Sequence, residues 1–317
     1  MSTARPLVAR RLDCEYDPRR ANRAVEKAHT MSIKTILVPL EDCDATGSML
    51  ETAWLAAEKF GCYVEGLYIK RALSGVVVAD IGGYAVATAD LVESFEEEDR
   101  QRSQRVRAKF EEFVRGKGAS LGGATTGQSG ASVDWYDDNE PGDAAAGMHA
   151  RLFDLTVVGR PVSGLSAPAT STLETILFES GRPILIAPPQ TPKAITGTVV
   201  ISWNGSTETA RTIAHARPFL AAAKKTVVLS VEGVMVPGPT AAEVARYLRH
   251  GGIPAEAREV AGGGRNGGEV ILAEAADLGA NLLIKGAYTN SRLRQMIFGG
   301  ATSHILAAAE LPVLMAH

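Results

Sequence analysis

The sequence predicts an α/β fold of two tandem, doubly wound, five-stranded parallel sheets of Rossmann-like type, and it does so through three features. Runs rich in Val, Ile and Leu alternate with helix-length segments from residue 34 onward, as parallel strands do when crossover helices bury both their faces. The order of runs then repeats. Lys34-Thr-Ile-Leu-Val-Pro-Leu-Glu41 answers to Gly197-Thr-Val-Val-Ile-Ser-Trp-Asn204, Asp154-Leu-Thr-Val-Val-Gly159 to Asn281-Leu-Leu-Ile-Lys-Gly286, and Pro183-Ile-Leu-Ile-Ala187 to Pro312-Val-Leu-Met-Ala316. Between the copies stands a short, stiff joint, Pro188-Pro-Gln-Thr-Pro192, so the halves should pack as a fixed pseudo-twofold pair, like a homodimer fused into one chain.

Taken in order, the first half reads as strands near 34–40, 63–69, 131–136, 154–159 and 183–187. The second reads as strands near 197–203, 225–232, 255–260, 281–285 and 312–316, with helices in the gaps. The first copy is longer by about 36 residues between its first and fourth strands. The surplus lies in a small, apolar insertion, Arg71–Ala89, and in a helix from about Asp90 to Gly116, whose charged run Glu96–Arg107 reads as a solvated face. Ser171-Thr-Leu-Glu174 reads as a helix capping box. The domains expected are 31–190 and 191–317. Residues 1–30, with six arginines and one lysine against four acids, read as a disordered extension or translated upstream sequence before a natural start at Met31, with a basic docking arm as the alternative.

Composition bounds the function. With 317 residues, 45% of them hydrophobic, the chain can bury a sizeable core. A net charge of −3 argues against nucleic-acid binding. The longest apolar run of the first half, Leu73–Ala79, is far short of a membrane span. Cys14, Cys43 and Cys62 form no Cys-x-x-Cys pair or disulfide framework, which fits a reducing cytoplasm.

The segment most suggestive of a ligand is 286–302. A buried strand breaks into Gly286, a basic loop carrying Arg292 and Arg294 follows, and Gly299-Gly300 opens a helix, the arrangement in which backbone amides cradle phosphate. Gly262-Gly-Gly264-Arg-Asn-Gly267 also satisfies Gly-x-Gly-x-x-Gly, but no acid follows at the end of the next strand, where Lys285-Gly286 stands. There is no P-loop, no Gly-x-Ser-x-Gly elbow and no His-x-x-His spacing. No catalytic residue is named, and the chain is not expected to be an enzyme.

These residues resemble the universal stress protein family in its tandem-domain form. Nucleotide-binding members carry Gly-x2-Gly-x9-Gly-(Ser/Thr) after the fourth strand, and the second half matches that spacing with Gly286, Thr289, Gly299 and Gly300. The second glycine is replaced by Thr289 and the hydroxyl by Gly300, with Thr302 as a substitute hydroxyl. The resemblance implies strand order 3-2-1-4-5 in each half and a regulatory stress-response role. It also implies ATP, with Mg²⁺, across the ends of strands 1 and 4. Asn204, where the family often has Asp, would then meet the nucleoside before Gly205, and Val231 would meet adenine. Gly286 and Thr289 would lie near ribose and phosphates, and Gly299, Gly300, Ala301 and Thr302 around the phosphates, helped by Arg292 and Arg294. No metal-ligating residues are assigned. A further homodimer and an unidentified regulatory protein are the partners allowed; the alternative is a nucleotide-free dimerisation or interaction module.

The first half departs from this pattern. Counted from Gly159, the motif positions become Val162, Thr172 and Leu173, and Pro168 stiffens the loop. Glu41, Asp42 and Asp44 cluster at the end of the first strand, where like charge would cost a triphosphate several kcal/mol, on the order of 332/(εr) at ε about 20. ATP is therefore expected in the second half only. A divalent-metal site at these acids is the weaker alternative to solvated loop carboxylates, and neighbouring carboxylates argue against a reactive Cys43.

Overall fold

The computed structural model describes residues 33–71, 80–81, 84–85, 89–122, 130–137, 140–161, 168–287 and 300–317. The N-terminal extension, most of the 71–89 insertion, Val162, Thr289, Arg292, Arg294 and Gly299 lie outside the described residues. Ser32–His317 forms one compact unit.

In the first half the elements are β1 (Thr35–Leu40), α1 (Thr46–Phe60), β2 (Tyr63–Tyr68), a short pair β3 (Asp80–Ile81) and β4 (Tyr84–Ala85), α2 (Ala89–Gly116), β5 (Ser132–Tyr136), α3 (Asp143–His149), β6 (Leu155–Gly159), α4 (Thr170–Glu179) and β7 (Ile184–Ala187). The second half contains β8 (Thr198–Ser202), α5 (Thr207–His215), α6 (Arg217–Ala222), β9 (Lys225–Val231), α7 (Ala241–His250), β10 (Ala255–Val260), α8 (Gly267–Asp277), β11 (Leu282–Gly286), α9 (Ala301–Ala308) and β12 (Val313–Ala316). The main strands start and stop within a residue of the sequence pattern; the inner ones are mostly Val/Ile/Leu runs buried on both faces, whereas the edge strands β5 and β10 are more polar and partly exposed. The β3–β4 pair, inside the insertion, was not expected.

The two sheets expected are in fact one. Ten strands run β10-β9-β8-β11-β12-β7-β6-β1-β2-β5, and β12 pairs antiparallel with β7 at the centre. On either side of that seam the pairings are parallel. A separate five-stranded sheet would leave its fifth strand as an open, apolar edge, which is an aggregation hazard; pairing the two fifth strands removes both edges. The register is self-complementary, with Leu314 opposite Leu185 and the flanking pairs Val313–Ile186 and Met315–Ile184 related by interchange of the halves. Because the seam is antiparallel, the C-terminal ends of the first-half strands point opposite to those of the second half.

Strand alternation sorts the core by face rather than by half. One face gathers Ile36, Val38, Leu155, Val199, Ile201, Leu282 and Ile284 under α1, α2, α5, α6 and α7. The other gathers Leu37, Val158, Ile184, Val200, Leu229, Leu283 and Met315 under α4, α8 and α9. Across the halves Phe60 meets Phe219 edge-on, centroids 5.0 Å apart. Ser48 on α1 pins the Pro-rich joint by donating to the Pro188 carbonyl at 2.6 Å.

Helix α2 buries Val106, Phe110 and Val114, spaced four apart along one stripe. Its charged run is only partly the solvated face expected. Exposed Glu97–Arg100 and Glu98–Arg102 pairs decorate the outside. Asp99, however, accepts the Tyr68 hydroxyl at 2.7 Å, and Arg107 pairs with Asp137 beyond the end of β5. The capping box expected at Ser171–Glu174 is absent: α4 starts two residues earlier, after Ala169, without a side-chain cap. A capping box stands instead at Thr240–Glu243, opening α7.

Candidate crevice at the strand ends of the second half

The end of β8 turns sharply into α5 through Asn204, Gly205 and Ser206. Asn204 Oδ1 accepts from the Ser206 amide at 3.2 Å and from Thr209 Oγ1 at 2.7 Å, and Ser206 Oγ caps the helix by accepting from the Thr209 amide at 3.2 Å. Both Asn204 contacts use the side-chain oxygen, which an aspartate would supply equally. The turn is held from above by the segment after β9, where the Val236 amide donates to Asn204 O at 2.8 Å and Trp203 Nε1 donates to Pro239 O at 2.6 Å. Val231, at the end of β9, is 1% exposed and packs in the core with Val270 and Ile271, so its side chain is accounted for by burial alone.

Gly286 has a structural reason to be glycine. A Cβ there would overlap the Thr209 backbone nitrogen at the start of α5, so the residue lets helix and strand approach closely. Gly300, the residue before α9, has φ 83° and ψ −159°, a conformation open essentially to glycine, and it provides no side-chain cap. Among the described residues the amides of the first turn of α9 thus have no capping side chain. Ala301 lies against Gly267 and Gly268 at the start of α8, and Thr302 is buried. Of the glycines near 262–268, Gly262 and Gly268 serve close packing, backing onto the Glu232 carbonyl and Ala301, whereas Gly263 and Gly264 face open space in left-handed conformations of the turn.

The residue that sequence reasoning passed over is Lys285. It lies in β11 between Ser202 of β8 and Met315 of β12, on the face covered by α8 and α9. It is 7% exposed, and its Nζ reaches to the strand end to donate to Gly286 O at 3.1 Å, the single hydrogen bond of this ammonium among the described residues. Burial pushes its pKa down to about 8. The signal was in the sequence: a lysine inside the apolar run Leu-Leu-Ile-Lys, where the other copy has Val158.

The first-half crevice is built from the same elements and is filled. Between β6 and α4 the loop is ten residues, against fourteen between β11 and α9. Thr172 and Leu173, matched to motif glycines by spacing, therefore fall inside α4. Pro168 packs directly on Gly159. Glu41 reaches across to accept the Ala169 amide at 3.1 Å, and Thr172 Oγ1 donates to Asp143 beside it at 2.7 Å. A carboxylate of the chain itself thus occupies the start of the helix. About 10 Å³ of free space remains among Pro39, Glu41, Gly159, Pro168 and Thr172, room for a water at most.

The three acids go different ways. Asp42 pairs with Arg105 and Lys109 of α2, both at 2.9 Å; burial alone would raise its pKa, but these two cations outweigh it and hold the carboxyl below its usual value. Asp44 is exposed. Among the described residues, no group of three or more His, Cys, Asp or Glu side chains is placed to hold a metal ion. Burial raises the Cys43 thiol pKa, and the Glu41 charge adds to it.

Burial also raises the Glu41 pKa, against the Ala169 and Thr172 hydrogen bonds and with help from Asp143. An acid that ionises less readily in the fold than in the unfolded chain lowers stability as pH rises through the interval between its two pKa values. Glu41→Gln, which keeps the acceptor for Ala169, is expected to raise Tm at pH 7 and to match the wild type where both side chains are neutral, near pH 3. A thermal melt series from pH 3 to 8 checks this; a lower Tm for the variant at pH 7 contradicts it.

The model of the universal stress protein family matches residues 207–317, from the start of α5 through β12. The match lies wholly within the second half. Solved structures extend the likeness of fold to the degenerate half. A universal stress protein from Archaeoglobus fulgidus DSM 4304 is 14% identical, with 90% of this chain and 96% of that chain covered at TM-score 0.65. A functionally unknown protein from Pseudomonas aeruginosa PAO1 is 15% identical, with 90% and 92% covered at TM-score 0.50. No curated protein matches the chain. The universal stress fold therefore runs through both halves, while the family match itself rests on the second.

Proposed function

We propose that the chain is a regulatory stress-response protein that binds ATP, with Mg²⁺, in the crevice of its second half alone and turns it over slowly or not at all. The observation that carries this reading is the contrast between the crevices. In the first, Glu41 takes the Ala169 amide and Pro168 closes on Gly159. In the second, the helix start at Gly300 has no side-chain cap among the described residues, and Lys285, in the strand that leads into this loop, has one acceptor among them for its three protons. Uncapped amides at a helix start and a buried cation are what a phosphate group needs. In this reading Asn204 and Val231 sit at the nucleoside, and Gly286, Thr289, Arg292, Arg294 and Gly299–Thr302 around ribose and phosphates. No described helix is long and apolar enough to cross a membrane, which accords with the proposed cytoplasmic location.

The nucleotide-free interaction module is the second reading. Two observations favour it: Gly286 is explained by its contact with Thr209, and Val231 by burial. Thermal shift separates the two. At about 100 times Kd, ATP should stabilise the protein by roughly 2.7 kcal/mol, and Gly299→Asp and Arg292→Ala should reduce the shift while Glu41→Gln leaves it intact. No shift at millimolar ATP, together with no nucleotide released on denaturation, decides for the second reading.

A further inference from the structure

Lys285 is a costly residue to place where it is. A lysine that is 7% exposed, with one backbone acceptor and no acidic partner among the described residues, stands in a strand whose other members are apolar. An unpaired buried ammonium loses several kcal/mol of hydration after relaxation, and nothing in the packing requires it. The equivalent strand of the other half places Val158 at the same position, 3% exposed, in the same continuous core. The fold is therefore built as readily with an apolar side chain.

The position of the ammonium gives it a use. Strand alternation puts the side chain on the face of α8 and α9, and the bond to Gly286 O carries Nζ to the C-terminal end of the sheet, the end at which open α/β sheets hold ligands. Ser202 stands beside it on β8, where the first half has Pro39. The uncapped start of α9 lies on the same face. The filled crevice differs at both positions, with Val158 in place of the cation and the carboxylate of Glu41 at the helix start.

We infer that Lys285 is the cation that recognises the phosphate group of the ligand in the second crevice, acting with the first-turn amides of α9 and discriminating phosphorylated from unphosphorylated nucleoside. This rests on the nucleotide reading above and extends it to a residue outside the glycine loop. Lys285 donates to a phosphate oxygen through protons that Gly286 O leaves unused, and the ligand's charge supplies the acidic partner that Lys285 lacks among the described residues.

Isothermal titration of the full chain at pH 7 with ATP and with adenosine tests this, using the wild type, Lys285→Met and Lys285→Gln. Both variants should lose about 10- to 100-fold in ATP affinity, the equivalent of one charge-assisted hydrogen bond, and keep the adenosine affinity of the wild type. Wild type that binds ATP while both variants bind it equally well overturns the role of Lys285 and leaves the nucleotide reading standing. Equal losses for ATP and adenosine also overturn it, because they mark a residue that shapes the crevice. Wild type that binds neither removes the nucleotide reading and this inference with it.

Discussion

Lys285→Met is expected to stabilise the fold by on the order of 3 kcal/mol at pH 7. The lysine pKa falls from 10.5 to about 8 through burial, so the unfolded chain binds its proton more tightly than the folded one. Below about pH 8 both states are protonated and the fold bears the full cost. Between pH 8 and 10.5 the folded amine sheds its proton first, and the cost disappears. The gain from the methionine variant should therefore be full at pH 7 and shrink as pH approaches 10.5. Urea denaturation of both proteins at several pH values measures it, and the difference between them isolates Lys285. Tyr63 and Tyr68, whose hydroxyls are held protonated chiefly by burial, lower stability at the alkaline end in both. A difference that stays constant across this range would mean that the ammonium is solvated. A variant that is more stable yet discriminates less against adenosine would display the trade between stability and function that buried charges at binding sites carry.

Gly286→Ala should cost about 3 kcal/mol, at the upper end for an overpacked site, because the added methyl meets the backbone of Thr209 at the start of a helix that is itself tied down by Ser206 and Asn204. Gly159→Ala, at the matching position, meets the Pro168 ring and Met49 Sδ. Those are side-chain atoms, one of them on a flexible thioether, so the loss should be smaller. Chemical denaturation of the two variants ranks them. If Gly159→Ala proves the more damaging, the close approach of α5 to β11 is not what Gly286 provides.

The inner strands were legible because burial on both faces writes itself as runs of Val, Ile and Leu, which the polar edge strands β5 and β10 lack, and the repeat was legible because Gly159 and Gly286 end matching strands. The joining of the sheets was not. Whether β7 ends as an edge or pairs with β12 depends on partners 129 residues apart, and Pro183–Ala187 reads the same either way. In the site, spacing alone aligned Thr172 with a loop glycine, since a shortened loop leaves no mark when both versions end in a polar helix start. Glu41 was read as a member of an acidic cluster that repels phosphate. In three dimensions it departs from Asp42 and Asp44 and takes the helix start itself. Lys285 was visible as a charge in a strand and was used only to dismiss a dinucleotide motif.

The self-complementary seam has a consequence for how such a chain can change. In a dimer of identical subunits every substitution arrives twice, and a carboxylate acquired at one helix start would close both crevices together. With the two copies joined through Pro188–Pro192 and zipped along β7 and β12, each copy drifts by itself while the other holds it folded. The antiparallel pairing also sets the two strand-end edges on opposite sides of the sheet, so filling one removes no wall of the other. Glu41 and Lys285 are opposite charges that stand in one half each, where the matching positions of the other half hold Asn204 and Val158, an asymmetry that a dimer of identical subunits cannot have.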